Sequence, residues 1–233
     1  MKKTITLLSI FLSILTSFQA LGADRYSLNI KDFSEIDVID GINVIHKCNS
    51  DSAGIVTFVS TDDIAHRILF SNNKNKLKIE LVTDGAVIKN LPTITVYSSF
   101  LGKAENSGDS TLIVENPVPA SSFKACITNN GTLIVHNVHA TQVDAKIETG
   151  RGHIVIDGKA SSVKLTNVGK GTLEAGNLKA DEVSCIVLGT GPIDCYATEK
   201  LIVKGMGSNR IYVKGHPKEI VNRTIGAKIE QVE

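Results

Sequence analysis

The chain is poor in aromatic side chains and contains no tryptophan. Its 233 residues include four Tyr and seven Phe. A β-sandwich of this length usually buries more aromatic rings, because they supply much of the contact area in a thick core. The scarcity therefore favours a thin core that Val, Ile, Leu and Ala can fill.

Cysteine is also scarce, and its spacing fits no metal motif. The four residues are Cys48, Cys126, Cys185 and Cys195. Structural zinc sites usually contain ligand pairs a few residues apart. Four cysteines in an exported chain can form disulfides, and only Cys185 and Cys195 are close in sequence. We expect small buried apolar side chains instead. His46 and Cys48 share one face of a strand, but no third ligand is near, so we predict neither a metal nor a cofactor.

The chain contains one long apolar stretch, and it lies at the N-terminus. Lys2 and Lys3 precede residues 4–18, which carry no charge, and small residues follow at Ala20 and Gly22. This pattern predicts a secretory signal peptide, residues 1–22, cut after Gly22 or Ala23. A membrane anchor is the alternative, but the stretch is short for a membrane span. We expect export to the periplasm or the cell surface, with no membrane span after signal removal.

Neither sign of charge dominates the mature chain. Without Lys2 and Lys3, the 25 basic residues fall to 23 against 24 acidic residues, a formal charge of −1. A near-neutral protein has no electrostatic reason to bind nucleic acid. We divide the chain into the signal peptide, a domain over 23–216 (N-terminal strands 23–91, coils 92–216) and a charged C-terminal cap or tail over 217–233.

A repeat near 20 residues occupies the second half of the chain. Short apolar segments start at steps of 21, 21, 19, 20 and 18, usually after a glycine. Their first residues are Thr111, Thr132, His153, Thr172, Pro192 and Arg210. A fixed period of this size is the signature of a repeat architecture.

A second ladder of apolar residues follows the same period. Its members are Phe123, Val143, Val163, Val183 and Leu201. Alternation around both ladders predicts two short strands in each repeat. One such coil cannot bury its inner faces alone, whereas coils stacked about 4.8 Å apart share a continuous core. The fold class predicted is all-β, a β-helix or solenoid-like stack of two-strand coils with a strand-rich N-terminal part.

The N-terminal third carries a resemblance to a known family. An aromatic-Ser-Glu-Ile entry at Phe33 leads to Gly41-Ile42-Asn43, and Asp62-Asp63-Ile64 and Lys76-Leu77-Lys78-Ile79 follow. Over roughly Tyr26 to Val213 the chain resembles the head GIN domain family, whose members are described as "putative auto-transporter adhesins". The resemblance implies a β-helix-like fold in a secreted or surface-exposed bacterial protein. Only twenty residues follow Val213, so we do not expect a translocation barrel in this chain.

One corner of the predicted coils is the best candidate binding site. Its column contains Glu115, His136, Asp157, Gly176 and Tyr196. We take His136, Asp157 and Tyr196 as candidate binding residues, although ordinary solvated corner residues are the commoner case. A polysaccharide lyase or hydrolase would need clustered acidic groups and a base. This column has two carboxylates, so we predict no catalytic residues.

An apolar stripe crosses the outer surface of the early coils. Ile113, Ile134 and Val155 should point outward, and the same column continues as Glu174 and Asp194. Exposed apolar patches usually have a partner. We expect the N-terminal strands to cover the stripe; the alternative is an oligomer or partner interface.

Together these features favour an exported, non-enzymatic binding or adhesion module. Its rigid β surface would meet a glycan or a surface protein, and a homo-oligomer is an open alternative. A β-helix carbohydrate-active enzyme is the second hypothesis, and a structural component of the envelope is the third.

Overall fold

A computed structural model of the protein describes residues 23–83, 85 and 88–233. Within them, seventeen strands form one continuous sheet that curls into a β-solenoid of about six turns. This confirms the predicted fold class. The predicted signal peptide lies outside the described residues.

The strands follow one another along the chain with few interruptions. A 3-10 helix lies at Ser50–Ser52 and a short helix α1 at Asp62–Ala65. The strands are β1 Asp24–Asn29, β2 Glu35–Val38, β3 Val44–Cys48, β4 Ile55–Ser60, β5 Ile68–Asn73, β6 Lys76–Leu81, β7 Ile94–Ser98, β8 Lys103–Asn106, β9 Thr111–Glu115, β10 Ala120–Ile127, β11 Thr132–Ile147, β12 His153–Asn167, β13 Thr172–Val187, β14 Ile193–Met206, β15 Arg210–Lys214, β16 Glu219–Ile225 and β17 Lys228–Gln231.

The curled sheet has two walls, which we call the front and the back. The front wall contains β3, β9, β15, β17 and the first halves of β11 to β14; the back wall contains β2, β8, β10, β16 and the second halves of β11 to β14. The long strands pass from front to back over a register shift, such as that between Val135 and Val138. Their inward residues fill the core; Leu133 and Val135, for example, are fully buried.

The stacking register agrees with both sequence ladders. Phe123 pairs with Val143, Val143 with Val163, and Val163 with Val183 in parallel strands. Leu201 follows in β14. Each member lies over its equivalent in the next coil, so the apolar columns of the sequence become continuous columns in the core.

The N-terminal strands lengthen the stack. Strand β2 pairs between β6 and β8, and β3 pairs between β7 and β9, all in parallel. The expectation that they cover the apolar stripe is wrong. The edges of β8 and β9 have backbone groups that need hydrogen-bond partners. Strands β2 and β3 supply these partners by pairing edge to edge within the sheet, so they do not lie over its outer face. The stripe gains Ile45, the partner of Ile113.

The C-terminal tail forms a last coil. Strand β16 pairs in parallel with β14, and β17 with β15. This coil covers the apolar side chains of the preceding one, including fully buried Leu201 and Ile211. Its own inner side is open, because Ile220 is 49% exposed.

The four cysteines are free thiols. Cys126, Cys185 and Cys195 are buried, as predicted, whereas Cys48 is half-buried. Cys185 in the second half of β13 and Cys195 in the first half of β14 form a hydrogen bond, which together with burial raises the pKa of Cys185 well above its usual value.

Candidate functional site

The predicted corner pair forms a direct contact. His136 Nδ1 lies 2.9 Å from Asp157 Oδ2, and the backbone N–H of Asn137 donates to Asp157 Oδ1 at 2.7 Å. The shift after Val135 brings these turn residues together, because the chain there passes from the front wall to the back wall. Both side chains are solvent-accessible, so the pair can offer hydrogen bonds to a ligand at this edge.

Tyr196 lies on the same edge but away from that pair. Its ring packs beneath Lys179 Nζ, 5.9 Å from the ring centroid. Asp157 pairs with Asn177 on the next strand, and Lys179 of that strand pairs with Tyr196 on the following one. Tyr196 is therefore two coils away from Asp157, a distance of about 10 Å along the stack at the usual strand spacing. The structure therefore joins His136 to Asp157 and leaves Tyr196 apart.

The outward residues of the front wall form a flat surface, which we call the front surface. A column of four aliphatic side chains crosses it on successive strands. These residues, all half-buried, are Ile45, Ile113, Ile134 and Val155. The column continues through Glu174, Asp194 and Tyr212, so the surface changes from apolar to ionisable along the stack.

The ionisable half contains a second histidine–carboxylate pair, which the sequence analysis did not identify. His153 Nε2 lies 2.9 Å from Glu174 Oε1, and Glu174 stands opposite Asp194 in register. Burial raises the pKa of Asp194, with the charge of Glu174 adding to the effect and Lys214 opposing it. The sequence does contain a sign of this pair. The apolar column continues as Glu174 and Asp194, and the coil register places His153 on the strand next to Glu174.

His46 lies inside the solenoid, away from these surfaces. Its Nε2 is 2.8 Å from Ser98 Oγ, both side chains are fully buried, and burial lowers the pKa of the imidazole to about 4. In the described part of the chain, no three His, Cys, Asp or Glu side chains cluster so as to hold a metal ion. His46 is thus a core residue with a hydrogen-bond partner.

The Gly41-Ile42-Asn43 tripeptide occupies the turn from the back wall to the front wall. Ile42 is fully buried, while Gly41 is exposed. Asn43 Oδ1 accepts the backbone N–H of Thr111 at 3.0 Å, and Asn43 O accepts that of Ile94 at 2.9 Å. The tripeptide therefore fixes one turn against the coils on both sides of it.

A comparison with known protein families identifies the family of this chain. Residues 32–217 match the family model described as "Putative auto-transporter adhesin, head GIN domain". The chain belongs to the head GIN domain family. This head GIN protein matches no protein in a comparison with curated proteins. Within the described ranges, no helix has the length and apolarity needed to cross a membrane.

Solved structures similar to the head GIN protein come from species of Bacteroides and Parabacteroides. A "putative adhesin" from Bacteroides fragilis has a TM-score of 0.80 and 22% identity, covering 91% of this chain and 98% of its own. A "putative lipid binding protein" from Parabacteroides distasonis has a TM-score of 0.74 and 18% identity, with coverage of 92% and 98%. A "putative adhesin" from Parabacteroides merdae has a TM-score of 0.66 and 18% identity, with the same coverage. At these identities the similarity establishes the fold.

Proposed function

We propose that this head GIN protein is an exported, non-enzymatic binding or adhesion module that meets a glycan or a surface protein through its front surface. The observation that carries the proposal is the column of four half-buried aliphatic side chains from Ile45 to Val155. Contiguous apolar patches on soluble proteins commonly mark interaction sites. The charged start and apolar stretch of residues 1–18 support export to the periplasm or the cell surface.

The surroundings of the column support a binding interface. Three polar pairs lie beside it: Lys47 with Glu115 at 3.1 Å, His136 with Asp157 at 2.9 Å, and His153 with Glu174 at 2.9 Å. Interfaces commonly place apolar side chains at the centre and polar groups at the rim. The parallel ladders beneath hold these side chains on a rigid wall, which reduces the ordering cost of binding.

The names given to the similar structures agree with a binding role. Two of the three are described as adhesins and one as a lipid-binding protein. The histidine–carboxylate pairs fit the same role, because exposed donors and acceptors can orient hydroxyl or amide groups of a partner.

The test uses the purified full chain on a glycan array and in adhesion assays with immobilised cell-surface proteins. We expect binding that Ile134→Asp weakens about tenfold or more, because a central interface side chain is replaced by a charge. The matched control is Leu69→Asp, since Leu69 is exposed on β5 at the N-terminal end of the stack. Circular dichroism checks that both variants fold.

Other outcomes would change the assignment. Equal binding by Ile134→Asp and the unmodified protein would contradict the role of the front surface. A change in oligomer size alone would make the column a contact between copies of the chain. Release of depolymerised sugar, lost in Asp157→Ala, would contradict the non-enzymatic assignment.

A further inference from the structure

Exposed apolar side chains form a row where the back-wall strands end and the turns to the front wall begin. The row contains Val168, Leu188, Met206 and Ile225, which are 38%, 52%, 64% and 73% exposed. They account for four of the eleven large hydrophobic residues that are exposed in the described chain. Single exposed apolar residues are ordinary, whereas an aligned set marks an interaction surface.

The row is continuous because the turns stack. Met206 pairs with Ile225 in register. The N–H groups of Val168 and Leu188 each donate a hydrogen bond to the carbonyl of a residue one coil earlier. The row from Val168 to Ile225 covers three coil steps and is therefore about 14 Å long. A Cβ on Gly189 would meet Gly169 O at 2.0 Å, so these turns lie in backbone contact. The preceding side chains consequently project outward together, as a ridge.

Cationic side chains flank the ridge on both sides. Lys204 and Arg223 are register partners on the back wall, two residues before Met206 and Ile225. Arg151 and Lys170 line, with Val168, a groove of about 400 Å³ beside the ridge. Lys228 begins the strand on the front side.

The described part of the chain gives these cations no ion-pair partner. Arg151, Lys170, Lys204, Arg223 and Lys228 make no ion pair within the described residues. The nearest acid of the same turn line, Glu148, is held by Lys146 at 2.7 Å. On the front side, Glu230 lies near Arg210. The ridge therefore stands in an excess of positive charge.

We propose that this ridge and its cations dock the protein peripherally on an anionic lipid membrane. The apolar side chains would enter the headgroup boundary, and the cations would meet lipid phosphates. Apolar burial and attraction to anionic lipid act together in such docking. A projecting ridge fits a deformable lipid surface, whereas a folded protein would need a matching groove with acidic walls. This surface lies apart from the aliphatic column of the front surface, so its test is independent of the function proposed above.

The test is co-sedimentation of the purified full chain with lipid vesicles. We expect binding to vesicles of phosphatidylcholine mixed with phosphatidylglycerol, weak binding to phosphatidylcholine alone, and loss of binding as salt increases. Each of Lys170→Glu and Lys204→Glu should weaken binding about fivefold or more, the ratio expected for about 1 kcal/mol per basic residue near an anionic surface. Lys159→Glu is the matched control, since Lys159 is exposed on the opposite turn line.

A second variant tests the apolar contribution. Met206→Asp should abolish vesicle binding while circular dichroism and solution size stay unchanged, because the side chain is 64% exposed. Ile134→Asp should leave vesicle binding intact. Equal binding to neutral and anionic vesicles, or no binding to either, would overturn the proposal. So would a change of oligomer size in Met206→Asp, which would make the ridge a contact between copies.

Discussion

At the scale of single residues, the buried ring of His46 is held in its neutral form by the solenoid core. Ser98 Oγ donates its hydrogen to Phe100 O at 2.9 Å, so it accepts the N–H of His46 Nε2. The other ring nitrogen, Nδ1, has no hydrogen-bond partner among the described residues. A proton added there would place an unpaired charge in the core, which explains why burial outweighs the attraction of Asp32 and lowers the pKa of His46 to about 4.

This pKa predicts a loss of stability in mild acid. Below the unfolded pKa of 6.5 the unfolded chain binds a proton that the native state rejects, so stability falls as pH falls from 6.5 towards 4. We expect the free energy of unfolding to drop by about 2 kcal/mol from this residue between pH 7 and pH 5. Urea unfolding at both pH values measures the drop.

Two variants isolate the contribution of this histidine. His46→Gln should flatten the pH dependence, whatever its effect on stability at pH 7. His216→Gln, at an exposed position, should leave it unchanged. An identical pH dependence in the unmodified protein and His46→Gln would show that the ring is not buried as a neutral group.

At the scale of elements, the turns before the front-wall strands hold the coils in register. Gly191 follows Gly171 one coil later, and a Cβ on Gly191 would meet Gly171 O at 1.7 Å. A Cβ on Gly176 would meet no atom closer than 3.5 Å. The two glycines therefore have different roles, one in backbone-to-backbone stacking and one on an open outer position.

This difference predicts opposite outcomes for two alanine substitutions. Gly191→Ala should lower the free energy of unfolding by about 3 kcal/mol, because overpacking against a backbone carbonyl forces neighbouring coils apart. Gly176→Ala should change it by less than about 0.5 kcal/mol, as ordinary surface substitutions do. Thermal and urea unfolding of both variants measures the effects; similar values for the two would contradict the stacking argument.

The elements also show which parts of the structure a sequence can predict. The coils from Thr111 to Val213 follow from periodicity, because each residue pairs with its equivalent one period later. The position of β2 between β6 and β8 does not, since strands that are distant in the chain and lack the repeat become neighbours.

Of the candidate surfaces, one can be predicted from the sequence and the other cannot. The contact of His136 with Asp157 follows from the shared corner column. The ridge that includes Leu188 and Met206 lies at the ends of the back-wall strands and at the start of the turns that follow. The apolar ladders of the sequence stop there, so those ladders do not reveal it.

At the scale of the whole molecule, the two ends of the stack are built differently. At the N-terminal end, β5 pairs with β6 and β1 with β4, both antiparallel, so the direction of the stacked strands changes there. At the C-terminal end, β16 and β17 continue in parallel. The last coil carries charged residues such as Lys218, which pairs with Glu199 at 2.7 Å. Charged residues on an exposed edge discourage further strand addition.

The C-terminal coil gives a prediction for the whole chain. Deletion of residues 217–233 should produce aggregation, because it uncovers the edges of β14 and β15 together with Leu201, Val203, Ile211 and Val213, all fully buried. Each of these side chains contributes on the order of 1 kcal/mol or more through burial. Size-exclusion chromatography and thermal unfolding of the truncated chain measure the effect.

Ile220→Lys is the control, since its half-exposed side chain can change while the coil stays in place. A soluble, monomeric deletion variant that unfolds at the same temperature as the full chain would show that the stack needs no final coil.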